Sequence, residues 1–203
     1  MLLDYFLSNQ ERNMIHKPTS YFEVYERYFS KYVDKNPKVL EIGIGQGGSL
    51  KMWKEYFGKG SQIVGFNINE KCLKFEEEGI RIYIGDQSDI HSLSLMTGKE
   101  MEFDIIIDDG GHSMNQQITS FKYLIQFVKM GGIYLCEDLH TSYMPEYRDQ
   151  EETFIDMAKK KVDKVNSPGN IKAIHFHQSI VVFEKDENKA LDILMIGKKH
   201  FEL

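Results

Sequence analysis

Carboxylates and an imidazole are concentrated at two places in the sequence, each directly after a short apolar run. The first run ends in Asp108 and Asp109, with His112 three residues later, and the second ends in Glu137 and Asp138. Carboxylate oxygens are the ligands that hard divalent cations prefer, and an imidazole can accept a proton near neutral pH. Carboxylates packed together repel one another unless a cation lies between them. If the two groups meet in space, they predict a metal site with a general base beside it.

The stretch between the two groups supplies the elements that would bring them together. Each apolar run is typical of a strand that is buried on both faces of a parallel sheet. Residues 115–129 are apolar at helical spacing, which predicts a helix between the strands. A strand–helix–strand crossover brings both strand ends to one edge of the sheet, about 4.8 Å apart if the strands are neighbours. Open α/β sheets bind their ligands at that edge.

A glycine-rich loop is the second candidate site. The predicted strand 39–42 leads into Gly43-Ile44-Gly45-Gln46-Gly47-Gly48, and apolar residues at helical spacing follow in residues 50–57. A strand, a glycine loop and a helix N-terminus place bare backbone N–H groups against a ligand. The alternative interpretation is a merely tight turn.

Two further strands are predicted at residues 62–67 and 80–84, and each leads into polar residues. Nucleotide-binding folds usually present an acid at the end of the second strand, where it holds ribose hydroxyls. This chain has Asn67 there, whose amide oxygen can accept a hydrogen bond but carries no charge. After the third strand, Asp86 could contact a purine amine or serve as a cap, and Ser88 or Asp89 is expected to cap the next helix.

The predicted order of elements is βαβαβαβαβ followed by an added β-pair. This order predicts a doubly wound α/β fold, mostly parallel with a C-terminal antiparallel strand and with helices on both faces. We expect an N-terminal helical segment, residues 1–36, and one globular unit, residues 37–203. A Ser20–Glu23 capping box predicts a helix over residues 20–34, whose aromatic stripe indicates packing, with a subunit interface or a lid as alternatives. The last elements are a helix from residue 154 to the Ser167-Pro168-Gly169 turn and strands at 171–177 and 179–185.

Composition narrows the functional classes. The chain has 203 residues and a net charge of -6, without a dense basic stripe, which argues against a nucleic-acid-binding groove. No apolar run approaches the ~20 residues that span a bilayer, and the N-terminus lacks the pattern of a signal peptide. Cys72 and Cys136 lie in different predicted elements, so a disulfide framework is not expected. A soluble cytoplasmic protein is the expectation.

The motifs resemble those of a known family. The segment from Val39 to Gly48 is similar to the first motif of Rossmann-like S-adenosylmethionine-dependent methyltransferases. Residues 107–112 together with residues 137–143 are more specific, and they resemble metal-dependent sugar O-methyltransferases that act on macrolide and related glycosides. The resemblance covers about residues 21–185, but the chain is shorter than the macrolide enzymes, so their substrate pocket cannot be transferred.

The resemblance implies a role for each candidate residue. It implies a general base at His112 and a metal-bound Asp109 that also belongs to the catalytic set. Mg²⁺ or another hard divalent cation is the expected metal, because the proposed ligands are all oxygens. The implied metal ligands are Asp109, Glu137 and Asp138. The implied S-adenosylmethionine contacts are Glu41, Gly43, Gly45, Asn67 and Asp86, although Asn67 replaces the usual acid.

Bound by the carboxylates, the cation could chelate two vicinal hydroxyls of a sugar and lower the pKa of the attacking hydroxyl. The acceptor could be a nucleotide-sugar, a polysaccharide or a small glycoside. The rival hypotheses are a nicotinamide-dependent dehydrogenase, which leaves the carboxylates unexplained, and a non-catalytic cofactor-binding subunit. A homo-oligomer is possible.

Overall fold

Seven strands form a single sheet in the computed structural model, which describes residues 2–10, 12–165 and 171–186. The strands are β1 (Lys38–Ile42), β2 (Gln62–Asn67), β3 (Ile80–Ile84), β4 (Phe103–Asp108), β5 (Val128–Cys136), β6 (Ile171–His177) and β7 (Ile180–Lys185). Their order is β3-β2-β1-β4-β5-β7-β6, in which the first five strands are parallel. β7 pairs antiparallel with β5, and β6 pairs antiparallel with β7. The predicted fold class is confirmed.

Helices cover both faces of the sheet. They are α1 (Leu2–Leu7), α2 (Tyr21–Phe29), α3 (Gly48–Phe57), α4 (Ile90–Glu100), α5 (Met114–Leu124) and α6 (Phe154–Lys160). Side chains of α1, α2 and α3 share one core cluster with Val39, Ile105 and Ile107. Those of α4, α5 and α6 share the other with Leu40 and Ile106. Successive residues of a strand point to opposite faces, so this alternation fixes which core each side chain enters.

The N-terminal segment is part of the first core. Leu2, Tyr21, Phe22, Tyr25 and Phe29 are all buried in the cluster that also holds the sheet residues of that face. Tyr25 packs edge-on against Trp53 of α3, with ring centroids 5.1 Å apart. The aromatic stripe therefore packs inside this chain, as predicted, and it brings α2 up to the end of the sheet where the acidic residues lie.

Several predicted boundaries differ from the structure. The helix predicted over 20–34 ends at Phe29 and continues as a 3-10 turn, Ser30–Tyr32. Ser20 makes no side-chain capping bond, because its backbone is already helical (φ -64°, ψ -21°) whereas a capping residue is usually extended. Asp89 is the cap of α4, as one of the two predicted candidates.

The helix predicted over 115–129 also ends early. α5 stops at Leu124, a 3-10 turn spans Ile125–Phe127, and β5 already begins at Val128. The register against β4 shifts here, since Phe103 pairs with Val128 whereas Ile105 pairs with Ile133. The glycine pair before Ile133 lies in this bulged part of the strand. The predicted end of the last helix near Ser167-Pro168-Gly169 lies outside the described residues, as does everything after residue 186.

No helix in the described part of the chain has the length and apolar character that crossing a membrane requires.

Candidate functional site

The carboxyl ends of β1, β4 and β5 lie side by side. The sheet ladder continues past the strands, because the backbone N–H of Asp109 donates to Ile42 (3.0 Å) and that of Glu137 donates to Asp108 (2.9 Å). These bonds hold the residues after β4 beside those after β5. The structure thus brings the two predicted acidic groups together, through the crossover that the sequence indicates.

Three of the predicted site residues form a compact set of possible metal ligands. One ligand atom each from Asp109, His112 and Asp138 lies within 4.8 Å of the others. His112 Nε2 is 3.9 Å from Asp109 Oδ1 and 3.3 Å from Asp138 Oδ2. Within the described residues, no hydrogen bond is donated to either of these two carboxylate oxygens. Two carboxylate oxygens beside an imidazole suit a hard divalent cation and a proton acceptor.

Glu137 lies deeper and is occupied by other partners. Lys17, which the sequence analysis did not single out, donates from Nζ to Asp109 Oδ2 (2.7 Å) and to Glu137 Oε2 (2.9 Å). The same ammonium lies 3.6 Å from Glu41 Oε1. Tyr25 donates to the other oxygen of Glu137 at 2.8 Å. Lys17 therefore sits among three carboxylates, and the role of Glu137 as a metal ligand stays a prediction.

The electrostatics of this cluster follow from its burial. Burial alone lowers the pKa of Lys17, but the negative charges of Asp109 and Glu137 outweigh this effect and raise the pKa well above its ordinary value. Burial raises the pKa of both carboxylates, and the charge of Lys17 opposes that rise only in part. One ammonium is thus shared by several carboxylates, and the cluster remains short of positive charge. Such a site favours binding of a further cation.

Two tyrosines of α2 orient the carboxylates from behind. Tyr21 donates to Asp138 Oδ1 at 2.6 Å, and Tyr25 donates to Glu137 one turn later. Lys17, Tyr21 and Tyr25 follow one another at intervals of four residues. Their polar groups contact the three predicted metal ligands: Asp109, Asp138 and Glu137 respectively. That spacing is visible in the sequence. The sequence analysis did not use this spacing, because a tyrosine in an aromatic stripe is interpreted as a packing residue unless a partner for its hydroxyl is known.

Asp108 does not belong to the site, contrary to the expectation that it would face Glu137 and Asp138. Its side chain is buried on the opposite face of the sheet, where it accepts hydrogen bonds from Tyr134 (2.7 Å), Ser120 (2.7 Å) and Gln87 (3.0 Å). The reason is strand alternation, which sends adjacent side chains to opposite faces. Asp108 therefore has a structural role.

The turn that carries His112 is held by a residue that sequence analysis missed. Gln87 accepts a hydrogen bond from the backbone N–H of Gly111 (2.8 Å) while its amide group donates to Asp108. His112 itself has a left-handed backbone (φ +62°), and its Nδ1 is buried without a hydrogen-bond partner among the described residues. Strained backbones of this kind cluster at functional sites, where the surrounding structure enforces them.

Two cavities meet at the glycine loop. The first, which we name the β2 cavity, has a volume of about 270 Å³ and is lined by Phe66, Asn67, Asp86 and Gln87, among others. The second has a volume of about 280 Å³ and is lined by residues 14–17 together with His112 and Asp138, among others. We name it the strap cavity, after the segment that contains residues 14–17. Both cavities share three lining residues: Gly43, Gly45 and Asp109.

The glycines of the loop have different reasons for being glycine. A Cβ at Gly43 (φ +83°) would overlap the carbonyl group of Asp109, so this glycine permits β1 and β4 to close together. A Cβ at Gly45 (φ +47°) would meet nothing within 4 Å, since it points into open space. A Cβ at Gly48 would meet the carbonyl oxygens of Asn13 and Met14. Gly48 therefore allows the segment 13–17, which we name the strap, to pass directly over the start of α3.

The other predicted cofactor residues divide into two groups. Asn67 and Asp86 line the β2 cavity, but each has an oxygen engaged locally: Asn67 Oδ1 accepts from the backbone of Asn69, and Asp86 Oδ1 accepts from Ser88. Glu41 lines neither cavity. It is buried beneath the strap, where Ser49 donates to Oε2 (2.7 Å) and Oε1 has no hydrogen-bond partner within the described residues.

Within the described residues, His140, Tyr143, His175 and His177 make no hydrogen bond or ion pair with the acidic cluster. His140 and Tyr143 are exposed to solvent. His175 and His177 have structural partners, since His175 contacts Glu184 (2.7 Å) and His177 contacts the hydroxyl of Tyr28 (2.9 Å).

Comparison with known proteins gives the fold a name. No protein-family model matches the chain. Among solved structures, this chain is similar to the MycE methyltransferase from the mycinamycin biosynthetic pathway, solved in complex with Mg, SAH and mycinamycin VI. The match has a TM-score of 0.79 and 30% sequence identity, and it covers 98% of this chain and 56% of the MycE chain. The fold is that of the Rossmann-like methyltransferases.

Curated proteins that are similar to this chain in sequence include sugar O-methyltransferases. Mycinamicin VI 2''-O-methyltransferase of Micromonospora griseorubida is 35% identical over 191 residues, which cover 81% of this chain and 47% of that protein. A second relative is 8-demethyl-8-alpha-L-rhamnosyl tetracenomycin-C 2'-O-methyltransferase of Streptomyces olivaceus. It is 32% identical over 194 residues, which cover 83% of this chain and 51% of that protein. The resemblance predicted from the sequence is confirmed, and the chain spans about half the length of these relatives.

Proposed function

We propose that this protein is an S-adenosylmethionine-dependent, divalent-metal-assisted O-methyltransferase that acts on a sugar hydroxyl. The observation that carries the proposal is the position of Asp109. It lines both cavities at the glycine loop, and it lies with Asp138 and His112 in one set of possible ligand atoms. A cofactor in one cavity and an acceptor in the other would therefore meet at this residue.

The β2 cavity is the proposed site of the nucleoside part of S-adenosylmethionine. Gly43 and Gly45 offer bare backbone along its wall, and Phe66 contributes apolar surface to its lining. Asn67 can donate from its amide nitrogen to a ribose hydroxyl, since its oxygen is already engaged by Asn69. Asp86 Oδ2, which accepts no hydrogen bond from the described residues, is the proposed acceptor for an exocyclic amine of the base.

The residues present fit a hard divalent cation. Asp109 and Asp138 each leave one carboxylate oxygen without a hydrogen bond from the described residues, while their other oxygens are held by Lys17 and Tyr21. Orienting contacts of this kind fix the ligands of a metal before it binds. The bound cation would polarise an acceptor hydroxyl, and Mg²⁺ is favoured because the donors are oxygens.

His112 is the proposed general base. Its Nε2 lies next to both open carboxylate oxygens, so a hydroxyl held there would be within reach of the imidazole. In the transfer, the hydroxyl oxygen attacks the sulfonium methyl carbon, the carbon–sulfur bond breaks, and the hydroxyl proton passes to His112. The products are the methyl ether and S-adenosylhomocysteine.

The acceptor is proposed to be a sugar carried by a small molecule or a glycan. The relatives act on the sugars of macrolide and tetracenomycin glycosides, and their names supply the acceptor class. In this chain, the strap forms one wall of the proposed acceptor cavity, the strap cavity. Met14 and His16 line that cavity and are exposed to solvent. Both cysteines are unpaired, which favours a reducing compartment, and we infer a cytoplasmic location from it.

The test is a methyl-transfer assay with labelled S-adenosylmethionine against nucleotide-sugars, rhamnosides and macrolide glycosides. We expect transfer to at least one sugar acceptor, loss of transfer in chelator, and recovery with Mg²⁺. Asp109→Ala should behave like the chelated enzyme and resist recovery. Transfer that persists in chelator, in metal-free protein, would contradict the metal-assisted mechanism, and reduction of a nicotinamide cofactor instead would indicate a dehydrogenase.

A further inference from the structure

Lys17 is held in the carboxylate cluster as an internal ion. Of the lysines and arginines that the structure describes, it is the one that contacts Asp109, Glu137 and Glu41, at 2.7, 2.9 and 3.6 Å. Its side chain is 3% exposed. The ammonium therefore donates hydrogen bonds to two carboxylates and lies close to a third without a hydrogen bond to it, in a position that solvent barely reaches.

The chain fixes Lys17 from the other side as well. The strap passes over Gly48 so closely that a Cβ there would touch the carbonyl oxygens of Asn13 and Met14. Directly after Lys17, the backbone N–H of Tyr21 donates to Pro18 (3.0 Å), which starts α2. The ammonium is thus anchored between a close backbone contact and a helix, rather than carried on a free loop.

The ammonium also occupies a position that a metal ion would need. Magnesium lies about 2.0–2.1 Å from its oxygen ligands. Nζ of Lys17 lies 2.7 Å from Asp109 Oδ2 and 2.9 Å from Glu137 Oε2, so a metal ion would have to displace the ammonium to bind both of these oxygens. The oxygens that remain open, Asp109 Oδ1 and Asp138 Oδ2, lie beside His112 and border the strap cavity.

We propose that Lys17 is a positioning residue that permanently fills the inner position of this cluster and confines the exchangeable cation to an outer position at Asp109 and Asp138. Glu137 then orients Lys17 instead of binding the metal, which differs from the ligand set that the family resemblance implies. The inference rests on the proposed function, because it takes the divalent cation as part of the site. Its consequence is that Lys17 weakens metal binding while it places the metal beside the general base.

The test compares Mg²⁺ affinity, measured by isothermal titration calorimetry, with methyl-transfer rate in the full chain. Lys17→Met removes the charge and keeps the length of the side chain. We expect Mg²⁺ to bind about tenfold tighter or more, because the cluster gains a net negative charge and its inner position opens. The transfer rate should fall by at least about tenfold, because the cation is no longer confined beside His112. Lys35→Met, which removes an exposed lysine before β1 at the opposite sheet edge, should change neither quantity.

A structural role alone would lower affinity and rate together, so the opposite directions are diagnostic. As a second variant, Lys17→Ala should recover the wild-type Mg²⁺ affinity when n-propylammonium, which replaces the deleted atoms, is added. Equal or weaker Mg²⁺ binding by Lys17→Met, or no effect of n-propylammonium on Lys17→Ala, would overturn the inference and leave the proposed function standing. If the wild-type protein binds no divalent cation, the proposed function and the inference both fail.

Discussion

Gly45 offers the sharpest test of the proposed cofactor site, because the structure separates its effect on folding from its effect on binding. Its backbone is left-handed (φ +47°), which costs a residue with a side chain about 1–2 kcal/mol. A Cβ there meets no atom within 4 Å, so the first atom of the side chain adds no steric cost to this strain. Gly45→Val should therefore remain folded, with a loss of stability of about 1–2 kcal/mol.

Binding should respond more strongly than folding. The valine side chain would project into the space that both cavities share, and it would keep a ligand away from the backbone of the loop. Losing even one ligand contact to a backbone N–H costs about 1–3 kcal/mol, which corresponds to a roughly tenfold to hundredfold weaker affinity. The measurement is calorimetric titration of S-adenosylhomocysteine, with thermal unfolding of the same samples.

Two other glycines serve as matched controls. Gly98→Ala, in the exposed part of α4 and also without a neighbour within 4 Å, should raise stability by up to about 1 kcal/mol and leave affinity unchanged. Gly43→Ala should compromise folding itself, because its Cβ would overlap the carbonyl of Asp109. A folded Gly45→Val that binds S-adenosylhomocysteine as tightly as the wild type would refute the assignment of this loop.

Two further predictions concern the base and the opposite end of the sheet. His112→Ala should reduce turnover by about 10²–10⁴-fold with unchanged S-adenosylhomocysteine affinity; an unchanged turnover would exclude it as the base. Glu100→Gln should cost about 2 kcal/mol in urea unfolding at pH 7, since the buried carboxylate contacts Lys38 at 2.6 Å and Tyr83 at 2.5 Å. Burial alone would raise the pKa of Glu100, but these contacts outweigh it and lower the pKa, so the stabilisation is complete above about pH 4.5 and is lost as the pH falls through the folded-state pKa. If Glu100→Gln remained equally less stable than the wild type at a pH below the folded-state pKa of Glu100, this assignment of the stabilisation to the ionised carboxylate would be wrong.

The sheet and its ligand edge could be predicted from sequence because their signals are local. Buried strands, a glycine loop and helical spacing place the ends of β4 and β5 side by side, and the crossover rule fixes the edge at which Asp109 and Asp138 meet. Boundaries were less predictable. The expected capping box at Ser20 fails because the chain is already helical there, and β5 begins before its glycine pair because a bulge absorbs the extra residues.

The partners of the carboxylates could not be predicted because they come from distant parts of the chain. Lys17 lies 92 residues before Asp109 and 120 before Glu137, so no local pattern connects them. A lysine before a helix is usually a solvated residue, and only the fold shows that this one is buried. Asp108 is the reverse case, since its sequence context matches that of Asp109 whereas strand alternation directs it into the other core.

The central claim is that one continuous cleft joins the cofactor site to a divalent cation beside His112. The most direct measurement is anomalous diffraction at the manganese edge from crystals grown with Mn²⁺ and S-adenosylhomocysteine. The account predicts one manganese peak bound by Asp109 and Asp138 next to His112, with the nucleoside in the β2 cavity. A manganese peak elsewhere, no peak at all, or a nucleoside bound outside the β2 cavity would contradict it.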